Sequence, residues 1–175
     1  MKLRIKNKKI KNEGFSLLEL LIYVTILSII VVIISNTFAI LSKGRAQSQA
    51  RSEVDSSIRF ANEIIRQDLK NASAVSTPAM GTPSSTLSLT RGGVVIVYDV
   101  VGGILRRKEG DALPVNVTNI NVLVGAPVFT RIENTNLVFG STDLAIKISM
   151  TFNYNSASAD WVYSASLQST VNLNK

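Results

Sequence analysis

One carboxylate in this 175-residue chain has unusual neighbours. Glu19 is the only charged residue between Phe15 and Leu41, a run of 27 residues that holds no Lys, Arg, Pro or Gly. A charge at the centre of a bilayer costs about 2.5–3.5 kcal/mol or more, so intramembrane carboxylates usually have a partner. The chemistry open to Glu19 is ion pairing with a cation. The plainer reading is a side chain that snorkels to the membrane edge, roughly 6 Å along the helix from Phe15. The second notable position is the Gly14–Phe15 junction, where a basic polar leader stops and the apolar run begins.

Little else in the chain could do chemistry. There is no Cys and no His. That removes disulfides, Cys or His metal sites, Cys nucleophiles and His general bases. Asp68, Asp99, Asp111, Asp143 and Asp160 are scattered, without the clustered oxygens a calcium loop requires. No metal and no cofactor is expected. Arg106-Arg107-Lys108 could meet phosphates, but three charges on a strand also fit a solvated face or an edge guard. No nucleic-acid partner is expected. Asn116-Val117-Thr118 has the form of a glycosylation acceptor, a triplet that also arises by chance. No phosphate-binding Gly loop is present. Nothing in the sequence points to an enzyme.

The element that positions Glu19 is the apolar run itself. As a helix it measures roughly 40 Å at about 1.5 Å per residue, more than the ~30 Å of hydrocarbon it would have to cross. The net charge of +7 is concentrated before it: Lys2, Arg4, Lys6, Lys8, Lys9 and Lys11 stand against Glu13 alone. Basic residues are retained on the cytoplasmic side, so the N-terminus is expected inside and residues beyond about 42 outside. An ordinary secretory signal has a shorter apolar core of about 7–15 residues, followed by a small-residue cleavage site.

After the run, Ala50, Val54, Ile58, Ala61, Ile65, Leu69 and Ala72 recur at spacings of three and four, one apolar stripe on a helix. Asp55 with Arg59 and Glu63 with Arg66 are spaced to pair along it. Ile58, Ile65 and Leu69 are expected to be buried. Residues 73–86, rich in Ser, Thr, Pro and Gly, read as a loop. Strands follow at 87–90, 94–100 and 104–108, joined by Gly92-Gly93 and Gly102-Gly103 turns. Residues 115–124 read as a strand or extended segment, and 125–143 are ambiguous. Alternation is clearest at Leu144–Tyr154 and Tyr163–Leu173, a terminal hairpin with one buried face. The expected fold class is α+β: a long N-terminal helix, transmembrane in its first half and amphipathic in its second, packed on a C-terminal antiparallel β-sheet. The expected divisions are 1–14, 15–42, 43–72 and 73–175.

Gly14-Phe15-Ser16-Leu17-Leu18-Glu19, with its basic leader and long apolar helix, closely resembles the prepilin cleavage and N-methylation motif of type IV pilins and pseudopilins. The final strand, ending SLQSTVNLN, is similar to the last strand of J-type minor pseudopilins and related minor pilins. The resemblance implies a pilin-like fold and a minor pilin or pseudopilin. A prepilin peptidase would cut after Gly14 on the cytoplasmic face and methylate the new amino group of Phe15. Glu19 would pair with that amino group on a neighbouring subunit. The implied partners are other pilins, the peptidase, and a membrane assembly platform driven by a cytoplasmic ATPase. The implied location is the cytoplasmic membrane, single-pass, and then a type IV pilus or type II secretion-like filament. The absence of Cys departs from many pilins, and Asn36 sits near where many carry a kinking Pro. The rival is a signal-anchored bitopic protein whose exterior binding or sensor domain never polymerises. The resemblance makes one prediction directly: Gly14→Val leaves the basic leader attached and blocks assembly. Normal processing of that variant would overturn it.

Overall fold

The computed structural model describes residues 16–136, 141–157 and 161–173. Gly14, Phe15, Phe139 and Asp160 lie outside them. The chain divides into two compact units, at Ser42 and Lys43, and each is taken by itself.

The first unit is the apolar part of helix α1 (Leu17–Lys70). Every residue from Leu17 to Leu41 is exposed within the chain. No Pro interrupts the run and leucine supports the helix, while the many β-branched residues are tolerated where surroundings are apolar. Inside an apolar medium a helix is one of the few conformations that satisfies every backbone polar group. The segment is long and apolar enough to cross a membrane.

The second unit combines the rest of α1 with two antiparallel sheets. One is a five-stranded meander in chain order: β1 (Ala74–Thr77), β2 (Leu87–Arg91), β3 (Val94–Val101), β4 (Ile104–Glu109) and β5 (Val115–Asn116). The other holds β6 (Val122–Val124), β7 (Val128–Asn136), β8 (Ser141–Tyr154) and β9 (Ser164–Asn172). Strand β8 is its centre. β7 and β6 pair successive stretches of one β8 edge, Ser141 to Ser149 and then Phe152 to Tyr154, and β9 pairs the other from Ala145 to Asn153.

Two hairpin turns explain their glycines. Gly92 and Gly93 have φ of 56° and 82°, and Gly102 and Gly103 have 60° and 76°. A two-residue loop with both central residues at positive φ matches the strand twist and favours glycine at both. Gly103 has a further reason. A Cβ there would meet Leu123 Cδ2 at 2.8 Å. The close approach lets the Gly103 carbonyl accept from the Val124 amide at 2.7 Å, joining the meander to β6.

The two sheets and the helix share one core. Val54, Ala61, Ile65 and Leu69 from α1 meet Leu87, Leu89, Ile96, Tyr98 and Leu105 of the meander, and Phe129, Ile146, Ile148, Met150 and Phe152 of the second sheet. The helical stripe is therefore the element that covers both sheets. Ile65 and Leu69 are fully buried, whereas Ile58 is only partly so.

Several local expectations change. Instead of one sheet there are two. Residues 73–86 contain strand β1, which pairs with β2 and is tied to it by Ser76 Oγ donating to the Ser88 carbonyl at 3.2 Å. Residues 115–124 are not one strand: β5 joins the meander and β6 the other sheet. The turn between them hydrogen-bonds inward, with the Val117 amide donating to the Leu105 carbonyl at 2.7 Å. The ambiguous stretch from 125 supplies β7 and the start of β8. Among the described residues Asp55 and Arg59 form no ion pair, nor do Glu63 and Arg66; Asp55 instead accepts from the Tyr163 hydroxyl at 3.4 Å.

Complete burial of Ile65 leads to a direct check. Ile65→Ala removes buried methylenes with little room to relax and is expected to cost about 2–5 kcal/mol. In a fragment beginning at Lys43, circular dichroism should show helix plus strand and a melting temperature several degrees lower for the variant. An unmoved midpoint would place Ile65 outside the load shared by the two sheets.

Candidate functional site

The N-terminal candidate is the start of α1. Glu19 lies in the first turn, where a carboxylate meets the free amides and the positive end of the helix. Tyr23, one turn on, donates its hydroxyl to Glu19 Oε1 at 3.4 Å. The other hydroxyls of this segment turn back on their own helix. Thr25 donates to the Ile22 carbonyl at 2.8 Å, Ser28 to Val24 at 2.7 Å, Ser35 to Val31 at 2.8 Å and Thr37 to Ile33 at 2.9 Å. These bonds let polar side chains sit in apolar surroundings without unpaired donors. Gly14 and Phe15, the residues of the expected cleavage, are outside the described residues, so of the expected site only Glu19 is placed.

The second unit holds a charge cluster that sequence reasoning missed. Asp68, near the C-terminal end of α1, is buried, with 4% of its side chain exposed. It accepts from Arg91 Nη1 at 2.5 Å, Arg107 Nε at 2.7 Å and the Tyr98 hydroxyl at 2.5 Å. Glu109 completes the set, accepting from Arg107 Nη1 at 2.7 Å and Arg91 Nη2 at 3.2 Å. Two carboxylates thus face two guanidinium groups, and the three middle strands of the meander each contribute: Arg91 ends β2, Tyr98 lies on β3, and Arg107 pairs with Tyr98 in register on β4.

Burial pushes the Tyr98 hydroxyl well above its ordinary value, and the bond to Asp68 adds to the shift. The hydrogen bond to Asp68 likewise raises Arg107, and the hydrogen bond from Arg107 holds Glu109 below the usual carboxylate range. These shifts keep Tyr98 and Arg107 protonated and Glu109 ionised at pH 7. The cluster fastens the last turns of the helix to the meander.

The remaining candidates resolve into fold roles. The basic run divides: Arg107 turns inward to Asp68, Arg106 forms a two-pronged pair with Asp99 at 3.0 and 2.6 Å, and Lys108 is exposed. Asp111 and Asp143 are exposed. Thr118, of the triplet at Asn116, is buried, and its Oγ1 accepts from the Leu105 amide at 3.1 Å.

A sequence signal for Asp68 did exist. It falls three residues after Ile65 and four before Ala72, inside the apolar stripe. A charge on a core-facing row needs buried partners. Asp68→Ala strips that acceptor from two guanidinium groups and a phenol, and is expected to destabilise the second unit by about 2–4 kcal/mol. Asp68→Glu, which keeps the charge but lengthens the arm, should cost less. Thermal unfolding of the fragment from Lys43 measures both; an Asp68→Ala variant as stable as wild type would remove the cluster from the account.

Residues 9–35 match the family model described as the prokaryotic N-terminal methylation motif. No curated protein and no solved structure matches the chain. With that motif at the head of a membrane-length apolar helix, and antiparallel sheets after it, the chain is type IV pilin-like.

Proposed function

We propose that the chain is a structural subunit, a minor pilin or pseudopilin, of a type IV pilus or type II secretion-like filament. The observation that carries the proposal is the conjunction at the start of α1: the methylation motif at residues 9–35, a lone carboxylate at Glu19, and an apolar helix exposed from Leu17 to Leu41. The motif marks structural proteins, made to be processed by a prepilin peptidase and assembled with other pilins.

In this reading residues 1–14 form the cleaved leader and 15–42 the membrane span that becomes the filament core. Residues 43–72 continue the helix and 73–175 form the exterior β region. The leader's positive charge holds the N-terminus on the cytoplasmic side of the cytoplasmic membrane. Cleavage after Gly14 creates a new amino terminus at Phe15, which is then methylated. A neighbouring subunit's Glu19 meets that amine where the dielectric is low and opposite charges attract more strongly than in water, with part of the gain offset by desolvation. Assembly is driven from outside the chain, by a membrane platform coupled to a cytoplasmic ATPase. The weak likeness of β9 to the last strand of J-type pseudopilins, and the missing Pro and Cys, favour a minor subunit.

Glu19→Val separates assembly from the earlier steps. The run is long enough to insert without the carboxylate, and a valine makes insertion easier. The leader and Gly14 are untouched, so the variant should be processed and membrane-resident. Its crosslinking to partner pilins should fall severalfold. Normal incorporation at native expression would contradict the pairing role and leave Glu19 as a residue snorkelling at the membrane edge.

A further inference from the structure

Away from its two ends, the polar side chains of the span follow one rule with one exception. Between Tyr23 and Thr37 there are six polar residues: Tyr23, Thr25, Ser28, Ser35, Asn36 and Thr37. Five are hydrogen-bonded within the helix, to Glu19 or to a carbonyl three or four residues back. Asn36 is not: among the described residues its side chain makes no hydrogen bond. Its neighbours one turn away are Val32, Ile33, Ala39 and Ile40, which offer no side-chain partner. An amide has two donors and an acceptor, and leaving them unpaired in an apolar medium costs far more than leaving an aliphatic side chain there.

Depth relieves this only in part. Asn36 lies 21 residues beyond Phe15, roughly 32 Å along a helix, so a span tilted by about 20° holds it at the outer edge of a hydrocarbon layer of about 30 Å. Five more residues, ending Phe38-Ala39-Ile40-Leu41, follow before Ser42.

We infer that Asn36 is an interhelical hydrogen-bonding site, and that its partner is Asn36 of a second copy of this chain, in the membrane before assembly. The inference rests on the reading of residues 15–42 as a membrane span, and is independent of the role given to Glu19. Two facts select a second copy. All copies insert in one orientation, set by the same basic leader, so their spans lie parallel with Asn36 at one depth. An amide is also self-complementary, donating and accepting in the same pair. A single Asn on an otherwise apolar helix face is a known means of fixing register between parallel helices, and interhelical Asn bonds favour association in membranes.

The chain has no cysteine, so one introduced thiol reports one contact. The full chain carrying Ala39→Cys, three residues from Asn36 and on the same helix face, should form a disulfide dimer on mild oxidation in its native membrane. Ile34→Cys, roughly 160° around the helix from Asn36, should form little. Adding Asn36→Leu should lower the Ala39→Cys dimer about fivefold, the size of one such bond, without changing insertion or processing. Asn36→Gln should restore part of it. Equal dimer yield with Asn36→Leu would overturn the inference and make Asn36 a residue solvated at the outer headgroups. Crosslinks only to a different pilin would overturn the choice of partner. A wild-type chain released from membranes without detergent would instead remove the span reading on which the inference rests.

Discussion

The apolar surface from Leu17 to Leu41 is exposed along its whole length, and the other features follow from that. Helical structure there satisfies the backbone, and hydroxyls folded onto their own carbonyls satisfy most of the side chains. What a single helix cannot satisfy is then conspicuous: a carboxylate near its start and an amide toward its far end. Lipid can cover the aliphatic surface but cannot supply a cation or a reciprocal amide. Neighbouring helices can. In the proposed reading, association meets these two groups and the exposed apolar surface together.

The later turns of α1 obey a different solvent. Here the apolar residues are reduced to one stripe, and that stripe binds two sheets into one core. The meander and the β8-centred sheet are also linked directly, where the Val124 amide donates to the Gly103 carbonyl and Ser84, just before β2, exchanges backbone bonds with Phe129. Asp68 adds direction to this packing. Hydrophobic burial fixes which face of the helix points inward; a carboxylate with three donors from three strands fixes where along the meander the helix ends.

What could be read from sequence was whatever rests on local periodicity or backbone chirality. The helical stripe follows from the 3.6-residue repeat, the β8–β9 hairpin from strict alternation at Ile146, Ile148, Met150 and Phe152, and the two tight turns from paired glycines needing positive φ. The features missed depend on distant partners. Strand β1 lies in a Ser/Pro-rich stretch and exists because β2 is there to pair with it. Residues 115–124 read as one extended segment, yet Val117 and Thr118 turn inward to Leu105 and divide it between two sheets. The Asp68 cluster depends on a bond between residues 39 positions apart, and Arg107 reads as surface charge until β4 is placed under the helix. At the N-terminus the position of Glu19 was legible, because one charge in a long apolar run needs no tertiary information to be noticed.

The central claim is that the chain is made as a precursor and matured into an assembling subunit. The intact mass of the protein extracted from its native membrane tests this most directly. The account predicts a single mature species beginning at Phe15 and carrying one added methyl on its amino terminus. A chain that keeps residues 1–14 would contradict it, and would identify the protein as a signal-anchored exterior domain that does not polymerise.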